Sequence, residues 1–474
     1  MGGGLMWLRL RRHRLPEPKR LNGCTPLILE AVGHCLAIMV LLIATLAVLA
    51  CRMLCISPPF CSALADYHTL MPETAALAKL KLSPRGAARL KSGHVWVYRS
   101  DILSSDGILP GALVAVTDPR GKPLGTALYS SSSQIAIRLI SREASSRKTT
   151  SREPVEDFPA LLRQRIADAI DYRKLVVRDS NAYRLVFSEG DFLPGLIIDR
   201  YNEIVSLQIL TQGMDANLVR ETVISQIKAL VDPVAIVERV DPRVRELESL
   251  PPRASGLFCG NKFATIFQMN GVQFHYDALE GQKTGAFLDQ RENYAAATQY
   301  AHGEALDVFC YQGGFALHLA PQCSQVTGVD SSRPALEVAD RNAVLNGRDI
   351  EWIEANAFDL LKDYAVANRR YDTIVLDPPA FAKTKRDVDS ALRGYKELNL
   401  RALKMLRPGG ILLTCSCSYH VDQASFLEML SQAALDARRV LRLTEIRGQA
   451  KDHPVLLNVP ETSYLKCVIT HVSH

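Results

Sequence analysis

Short apolar runs separated by turn residues dominate the chain after about residue 77. Between 77 and 140, runs of alternating hydrophobic and polar positions are punctuated by Gly, Pro and Asp, which predicts a small β-barrel domain over 77–145. Its strands are predicted at 94–98, 112–118, 123–129 and 134–140. Basic residues near its start fit either a polyanionic partner or a solvated face, namely Lys79, Lys81, Arg85, Arg89 and Lys91. A polar stretch at 141–154 predicts a linker after the barrel.

Helical and strand-like spacing are mixed in the next segment. Leu161, Leu162, Ile166 and Ile170 recur at helical spacing, and 217–230 has a second helical pattern. Strand-like runs lie at 183–187, 195–199, 204–210 and 235–240. The mixture predicts an α+β middle domain over 155–277, and its pattern alone names no chemistry.

Strand-like and helix-like segments alternate regularly from residue 280 to 474. Such alternation predicts a doubly wound, mostly parallel α/β sheet of the Rossmann-like type. One intervening helix is predicted at 333–346, ending at Gly347. Ligands of these sheets bind at the carboxyl ends of the strands, so the residues that follow each strand are the candidate site. The strands are predicted at 304–310, 325–330, 350–354, 371–377 and 410–416.

Residues 1–70 do not match the rest of the chain. A basic leader precedes the uncharged, apolar segment 31–51, whose 21 residues would span about 30 Å as a helix, enough for a bilayer core. A signal-anchor would keep the N-terminus inside, and a cleaved signal peptide fits less well because the charged leader is long. We favour a third interpretation, a native start near Met71, because the composition from there is that of a cytosolic enzyme. We therefore expect a cytoplasmic protein, with membrane attachment only if the N-terminal segment is genuine.

Composition narrows the class of protein only modestly. The 474 residues suggest two or three domains, and the formal charge of +6 permits a polyanionic partner without requiring one. The 11 cysteines include no CxxC pair and no nearby His cluster. That spacing argues against a structural zinc site and a disulfide scaffold, so we expect no metal and a reducing compartment.

The first and second strands of the predicted sheet end in residues suited to a nucleoside. The segment 307–315 reads DVFCYQGGF, and Gly313 and Gly314 would let the backbone pass close to a ligand at a helix N-terminus. Asp330 ends the second strand, 17 residues after Gly313, where an acid usually binds a ribose hydroxyl pair. Because the turn is not GxGxxG, a smaller nucleoside is favoured over a dinucleotide.

The fourth and fifth strands end in a carboxylate and in two thiols. Asp377 begins DPPAF (377–381), and Cys415 and Cys417 lie in TCSCS (414–418). In the expected sheet order the first, fourth and fifth strands are neighbours, so these groups should meet the glycine turn in one crevice. By period two the cysteines share a strand face, so the pattern does not choose between them, and both could be buried strand cysteines.

A thiol and a carboxylate beside a methyl donor suit methylation at C5 of cytosine. A thiolate can add to C6 and make C5 nucleophilic enough to take a methyl group from a sulfonium. Asp377 is our hypothesis for the group that donates to the ring during this attack. A base in folded RNA must also be unstacked or single-stranded to reach the site.

Residues 77–470 resemble the bacterial large-subunit rRNA cytosine-C5 methyltransferases that carry an N-terminal PUA domain. The similar segments include GQKTGAFLDQREN (281–293), DVFCYQGGFALH (307–318), DPPAFAKTK (377–385), RGYKELN (393–399) and GGILLTCSCS (409–418). The resemblance implies a PUA barrel, a middle domain of EEHEE type and a Rossmann-like class I methyltransferase domain. It also implies methylation of 23S rRNA through a covalent bond between Cys417 and cytosine C6.

The resemblance further implies S-adenosylmethionine (SAM) as cofactor and large-subunit rRNA as partner, and it is compatible with a homodimer. It selects Cys417 as the nucleophile. Asn356 is a departure, since an acid often contacts adenine there, although an amide can still form a hydrogen bond. The implied cofactor-binding residues are Lys283, Phe287, Asp289, Arg291, Asp307, Tyr311, Gly313, Gly314, Asp330, Asn356 and Asp377.

Two other functions are compatible with the same residues. A guanine N-methyltransferase of rRNA shares the DPPxF turn but needs no thiol, so replacing Cys417 would spare it. A non-catalytic RNA-binding protein could keep the PUA fold after losing activity, and it would not bind SAM.

Overall fold

The computed structural model describes residues 77–142, 157–279 and 285–473. The predicted extension 1–70 with its apolar segment 31–51, most of the predicted linker, and Lys283 lie outside these residues. Within the described ranges, no helix combines the length and the apolar character that crossing a membrane would require.

The first described domain is the predicted barrel, a six-stranded sheet in the order β2-β6-β5-β4-β1-β3. All four predicted strands are present. A further strand and a helix precede them. The helix begins after Ser83, whose hydroxyl caps it by accepting from Gly86 N at 3.1 Å. Leu80, Leu82 and Val97 are fully buried in its core. The elements are β1 (Ala78–Leu82), α1 (Pro84–Lys91), β2 (Trp96–Tyr98), β3 (Ile102–Ser104), β4 (Leu113–Thr117), β5 (Pro123–Tyr129) and β6 (Ile135–Arg142).

The middle domain packs two long helices against a five-stranded sheet in the order β11-β10-β9-β8-β7. Three strands precede its central helix and two follow it, one strand more than the EEHEE pattern implies. A separate hairpin, β12–β13, joins the apolar core of the C-terminal domain through Phe267 and Phe274. The elements are α2 (Phe158–Val176), β7 (Ala182–Phe187), β8 (Leu196–Tyr201), β9 (Ile204–Ile209), α3 (Asn217–Val231), β10 (Ala235–Glu238), α4 (Pro242–Leu247), β11 (Gly256–Cys259), β12 (Ala264–Met269) and β13 (Val272–Asp277).

The C-terminal domain is a seven-stranded α/β sheet in the order β16-β15-β14-β17-β18-β20-β19. Strands β14 to β18 are parallel, and β20 runs antiparallel to β18 and β19. Apolar clusters cover both of its faces, as a doubly wound sheet requires. The elements are α5 (Arg291–Ala297), β14 (Glu304–Val308), α6 (Gly314–Leu319), β15 (Gln325–Asp330), α7 (Arg333–Leu345), β16 (Glu351–Glu354), α8 (Ala357–Val366), β17 (Tyr371–Leu376), α9 (Val388–Met405), β18 (Leu406–Ser416), α10 (Gln423–Ala437), β19 (Val440–Arg447) and β20 (Lys466–Ser473).

The expected neighbours are confirmed at the centre of this sheet. Val308 at the end of β14 is in register with Leu376 at the end of β17, and Leu376 is in register with Thr414 of β18. The three segments that follow these strands therefore meet at one edge of the sheet. They are the glycine turn, the DPP loop and the TCSCS turn.

Candidate active site

The turn after β14 contains several residues with positive φ angles, which most residue types adopt only with strain. Phe309 and Tyr311 have positive φ angles of 67° and 49°, and Gly313 has a φ of 85°. A Cβ atom at Gly313 would lie 2.8 Å from the ring of Trp352, and one at Gly314 would lie 2.5 Å from the hydroxyl of Tyr294. Glycine is thus required at both positions, and such clusters of strained backbone are common at functional sites.

Asp330 holds this turn in place from the end of β15. Its carboxylate accepts hydrogen bonds from the backbone N–H groups of Tyr311 and Ser332, each at 2.9 Å. The side chain is half-buried, and each oxygen keeps a lone pair that could accept from a ribose hydroxyl. Nearby, the indole Nε1 of Trp352 is buried and finds no hydrogen-bond partner within the described part of the chain.

Asp307, on β14, is a buried carboxyl with one oxygen to spare. Its Oδ2 accepts from Ala316 N at 2.8 Å, whereas Oδ1 has no hydrogen-bond partner among the described residues. Burial, with smaller contributions from the charges of Asp377 and Asp330, raises its pKa to about 8. Asp307 is therefore mostly protonated at neutral pH.

Four of the predicted cofactor residues line one small cavity beside the turn. Phe287 packs edge-on against Tyr311 with 5.0 Å between ring centroids, and Gly314 and Asp377 complete this group. The backbone N–H of Asp377 donates to Val308 O at 3.2 Å, which fixes the DPP loop against β14. The other lining residues are Met269, Phe274, Ala286, Tyr294, Phe309, Cys310, Gln312 and Phe315.

Arg291 and Asp289 contact other parts of the chain. The guanidinium of Arg291 is almost fully buried and donates to Asp452 Oδ1 at 3.0 Å. Asp452 also accepts from the backbone N–H of Arg184 in the middle domain at 2.8 Å. Although burial alone would raise the pKa of Asp452, the charges of His453 and Arg291 lower it below its usual range. Asp289 accepts from the Tyr464 hydroxyl at 2.6 Å. The cofactor roles of Arg291 and Asp289 stay predictions.

Asn356 caps helix α8 with its side-chain oxygen. Its Oδ1 accepts from the backbone N–H groups of Phe358 at 2.9 Å and Asp359 at 3.4 Å. The amide nitrogen is then the group with which this exposed side chain could contact adenine. That contact also stays a prediction.

The two cysteines of TCSCS have different environments. Cys415 is fully buried opposite Cys467 of β20, and burial, together with Cys467, raises its pKa well above the ordinary value. Cys417 is half-buried, and its thiol donates to Pro378 O of the DPP loop at 3.8 Å. The expectation that both share a strand face was wrong, because β18 ends at Ser416 and the alternation stops there.

Sequence reasoning missed the groups that hold the turn around Cys417. The Tyr395 hydroxyl lies 2.9 Å from Ser418 Oγ and 3.0 Å from Ser416 Oγ. Ser418 Oγ also accepts from Ala382 N at 3.0 Å, which ties this turn to the DPP loop. Tyr395 belongs to the RGYKELN segment, so the resemblance had marked its neighbourhood without giving it a role.

A buried lysine completes this support. Lys466 Nζ donates to Ser418 O at 2.6 Å and to Tyr464 O at 2.9 Å. Burial lowers the pKa of Lys466 to about 8, although the nearby Cys417 and Asp422 act in the opposite direction. In the sequence it is one lysine at the start of an edge-proximal strand, and no pattern distinguishes it. Within the described ranges, no cluster of three or more His, Cys, Asp or Glu side chains could hold a metal ion.

Comparison with known proteins assigns two segments of the chain to families. A family model described as a PUA-like domain matches residues 80–142, and one described as an S-adenosylmethionine-dependent methyltransferase matches 246–455. The ribosomal RNA large subunit methyltransferase I of Yersinia pseudotuberculosis is 38% identical over 383 residues, which cover 79% of this chain and 94% of that protein. The protein of the same name from Yersinia pestis matches with the same values.

Solved structures share the fold. A SAM-dependent methyltransferase from Streptococcus mutans superimposes with a TM-score of 0.69 at 19% identity, covering 83% of this chain and 100% of that one. A methyltransferase complexed with S-adenosylhomocysteine (SAH) has the same TM-score and coverage at 20% identity. At these identities the likeness concerns the fold alone.

The residues present fit S-adenosylmethionine. The close approach at Gly313 and Gly314 lets a nucleoside lie against the backbone after β14, and the oxygens of Asp330 at the end of β15 can accept from its hydroxyl groups. The buried Oδ1 of Asp307 adds a polar atom that has no partner among the described residues. The relatives cover most of this chain, and it covers nearly all of theirs. The chain therefore belongs to the ribosomal RNA large subunit methyltransferase I family of S-adenosylmethionine-dependent enzymes.

Proposed function

We propose that the protein methylates C5 of a cytosine in 23S rRNA through a covalent bond between Cys417 and cytosine C6. The observation that carries the proposal is the position of Cys417. Its thiol lies half-buried against the DPP loop, next to the strand ends that form the glycine turn, whereas Cys415 is sealed in the core. A methyltransferase acting on a guanine nitrogen would have no need of a thiol there.

The chemistry requires a nucleophile, a hydrogen-bond donor to the ring and a methyl donor. Bound S-adenosylmethionine supplies the methyl group from its sulfonium. The Cys417 thiol would lose its proton to solvent as its sulfur adds to C6, which moves an electron pair toward C5. C5 would then form a bond to the methyl carbon while the bond between that carbon and the sulfonium sulfur breaks. A base would take the C5 proton, the S–C6 bond would break with its electron pair returning to the sulfur, and the aromatic ring would be restored.

Asp377 is the proposed donor to the ring during attack. Its backbone is fixed to β14, and it lines the cavity together with Tyr311 and Phe287. Its charge contributes to the raised pKa of the buried Asp307, so these carboxyl groups are close enough to interact.

Trapping of the covalent bond tests the proposal directly. In a 23S rRNA fragment that carries 5-fluorocytidine and no other modification, the target base has no C5 proton to lose. The enzyme should therefore remain covalently attached after methyl transfer. We expect a complex that survives SDS with the wild-type protein and with Cys415→Ala, and none with Cys417→Ala. Cys415→Ala is the matched control because it removes a thiol two positions away.

Product analysis provides the second readout. After incubation of unmodified rRNA with labelled cofactor, nucleoside mass spectrometry should find 5-methylcytidine with the wild type and none with Cys417→Ala. A methylguanosine product, or full activity of Cys417→Ala, would contradict the proposal and favour the guanine N-methyltransferase. Absence of SAM binding in calorimetry would favour a non-catalytic RNA-binding protein.

A further inference from the structure

Two exposed tyrosines from different domains lie beside the turn that carries Cys417. Tyr98, at the end of β2 in the barrel, is 36% exposed, and Tyr419, two residues after Cys417, is 41% exposed. Burial, and then the charges of Glu461 and Tyr98, raise the pKa of the Tyr419 hydroxyl, so the two tyrosines are close enough to interact. Water-exposed aromatic rings next to a reaction centre are candidates for stacking with a ligand.

Arg89 fixes this arrangement between the barrel and the C-terminal domain. Its guanidinium carbon lies 4.9 Å from the centre of the Tyr98 ring. The same group donates to Glu461 Oε1 at 3.1 Å, and His94 Nε2 bonds the other oxygen of Glu461 at 2.9 Å. The Tyr98 ring is therefore backed by a cation that is itself held, which gives a stacking surface of defined orientation.

Basic residues continue the surface on the other side of the turn. The Tyr419 ring packs against His420 with 5.2 Å between centroids. Hydrogen bonds from Thr384, and to a smaller extent the nearby His420, lower the pKa of Asp387, so His420 lies next to the 384–387 segment. Lys385 and Arg386 of that segment, and the preceding Lys383, are exposed. Exposed cations that flank aromatic rings suit a phosphate backbone.

We propose that Tyr98 and Tyr419, with Arg89 behind them, form a stacking site for unpaired rRNA nucleotides next to the target base. The residues 383–386 would contact the phosphates on the opposite side. Sequence-tolerant stacking on aromatic side chains is the usual way in which single-stranded RNA is bound. This inference rests on the proposed function in one respect, that the target base reaches Cys417.

Binding measurements on protein that cannot react test the site. In a Cys417→Ala background, fluorescence anisotropy with a labelled single-stranded 23S rRNA fragment gives Kd without chemistry. Tyr98→Ala and Tyr419→Ala should each raise Kd about 5- to 100-fold, the range that loss of one base–aromatic stack produces. Tyr98→Phe and Tyr419→Phe should stay within about threefold, since the ring is retained. Tyr172→Ala, at a tyrosine of α2 that is 37% exposed, is the control and should leave Kd unchanged.

The outcomes separate this site from the proposed chemistry. Unchanged Kd values for Tyr98→Ala and Tyr419→Ala, with thermal scans that show both variants folded, would overturn the stacking site. An equal loss with Tyr172→Ala would also overturn it, because the effect would not be local. If the tyrosines control Kd while the wild type makes no 5-methylcytidine, the stacking site stands and the cytosine chemistry fails.

Discussion

Replacement of Asp307 by asparagine should change how stability depends on pH. The carboxyl is fully buried with one oxygen unpartnered among the described residues, and burial raises its pKa to about 8 from an ordinary value of 3.8. Between these two values the folded chain keeps a proton on Asp307 that the unfolded chain has released. The free energy of unfolding must therefore fall as the pH rises through this window. The amide side chain of the Asp307→Asn variant would be neutral at every pH and would lack that dependence.

The size of the effect follows from the width of the window. Each pKa unit corresponds to about 1.4 kcal/mol, so a shift of about four units costs the folded state about 6 kcal/mol above pH 8. Between pH 5 and pH 7 the wild type should lose about 3 kcal/mol more than Asp307→Asn. Any fixed cost of the amide in the buried site cancels in this comparison, because it is the same at both pH values.

Urea unfolding of both proteins at pH 5, 6 and 7, followed by far-UV circular dichroism, measures this difference. Asp349→Asn removes an exposed carboxyl from the same domain and serves as the control for the change in net charge. Parallel profiles for the wild type and Asp307→Asn would refute the reasoning. Such a result would mean that water or a rearrangement stabilises the ionised carboxylate, and Asp307 would then be a charged acceptor at neutral pH.

Two further predictions concern the supports of the site. Lys466→Met removes the ammonium group that donates to Ser418 O and Tyr464 O beside Cys417. Cys417 should then react several-fold more slowly with iodoacetamide at pH 7, and mass spectrometry of its peptide measures that rate. An unchanged rate would show that the lysine does not activate the thiol. Asp452→Asn removes the closer and fully buried carboxylate partner of Arg291 and should cost about 3–5 kcal/mol in urea unfolding. Arg333→Gln, at an exposed pair, should cost less than about 1 kcal/mol, and similar losses in both variants would contradict the burial argument.

Most of the fold could be predicted because periodicity reports which face of an element is buried. The alternation after residue 280 predicted the parallel sheet, and the neighbouring positions of β14, β17 and β18 followed from it. Helix α7 ends as expected before Gly347, which has a positive φ of 62°. Strand β1 was missed although Lys79, Leu80, Lys81 and Leu82 alternate, because its lysines were interpreted only as part of a basic segment.

The candidate site was predictable where it depends on backbone geometry and much less where it depends on packing. Gly313, Gly314 and Asp330 can be identified from their residue types and from their places at strand ends. The different environments of Cys415 and Cys417 depend on the point at which β18 ends, because Cys415 lies within the strand and Cys417 follows it. Lys466 and Ser418 meet across 48 positions of sequence, so no local pattern could have paired them.

Side-chain contacts hold the N-terminal barrel in a fixed position relative to the other two domains. Trp96 of the barrel donates to Glu189 of the middle domain at 3.0 Å, and Arg89 and His94 bind Glu461 beside β20. These contacts are local side-chain bonds between domains, so they orient the barrel relative to the turn that carries Cys417. Under the proposed function, a thiol could add to C6 of either pyrimidine, so the thiol alone could not choose one cytosine of an rRNA. Selection would then come from nucleotides outside the pocket, and a barrel held by these side-chain contacts would provide a second point of contact with the RNA.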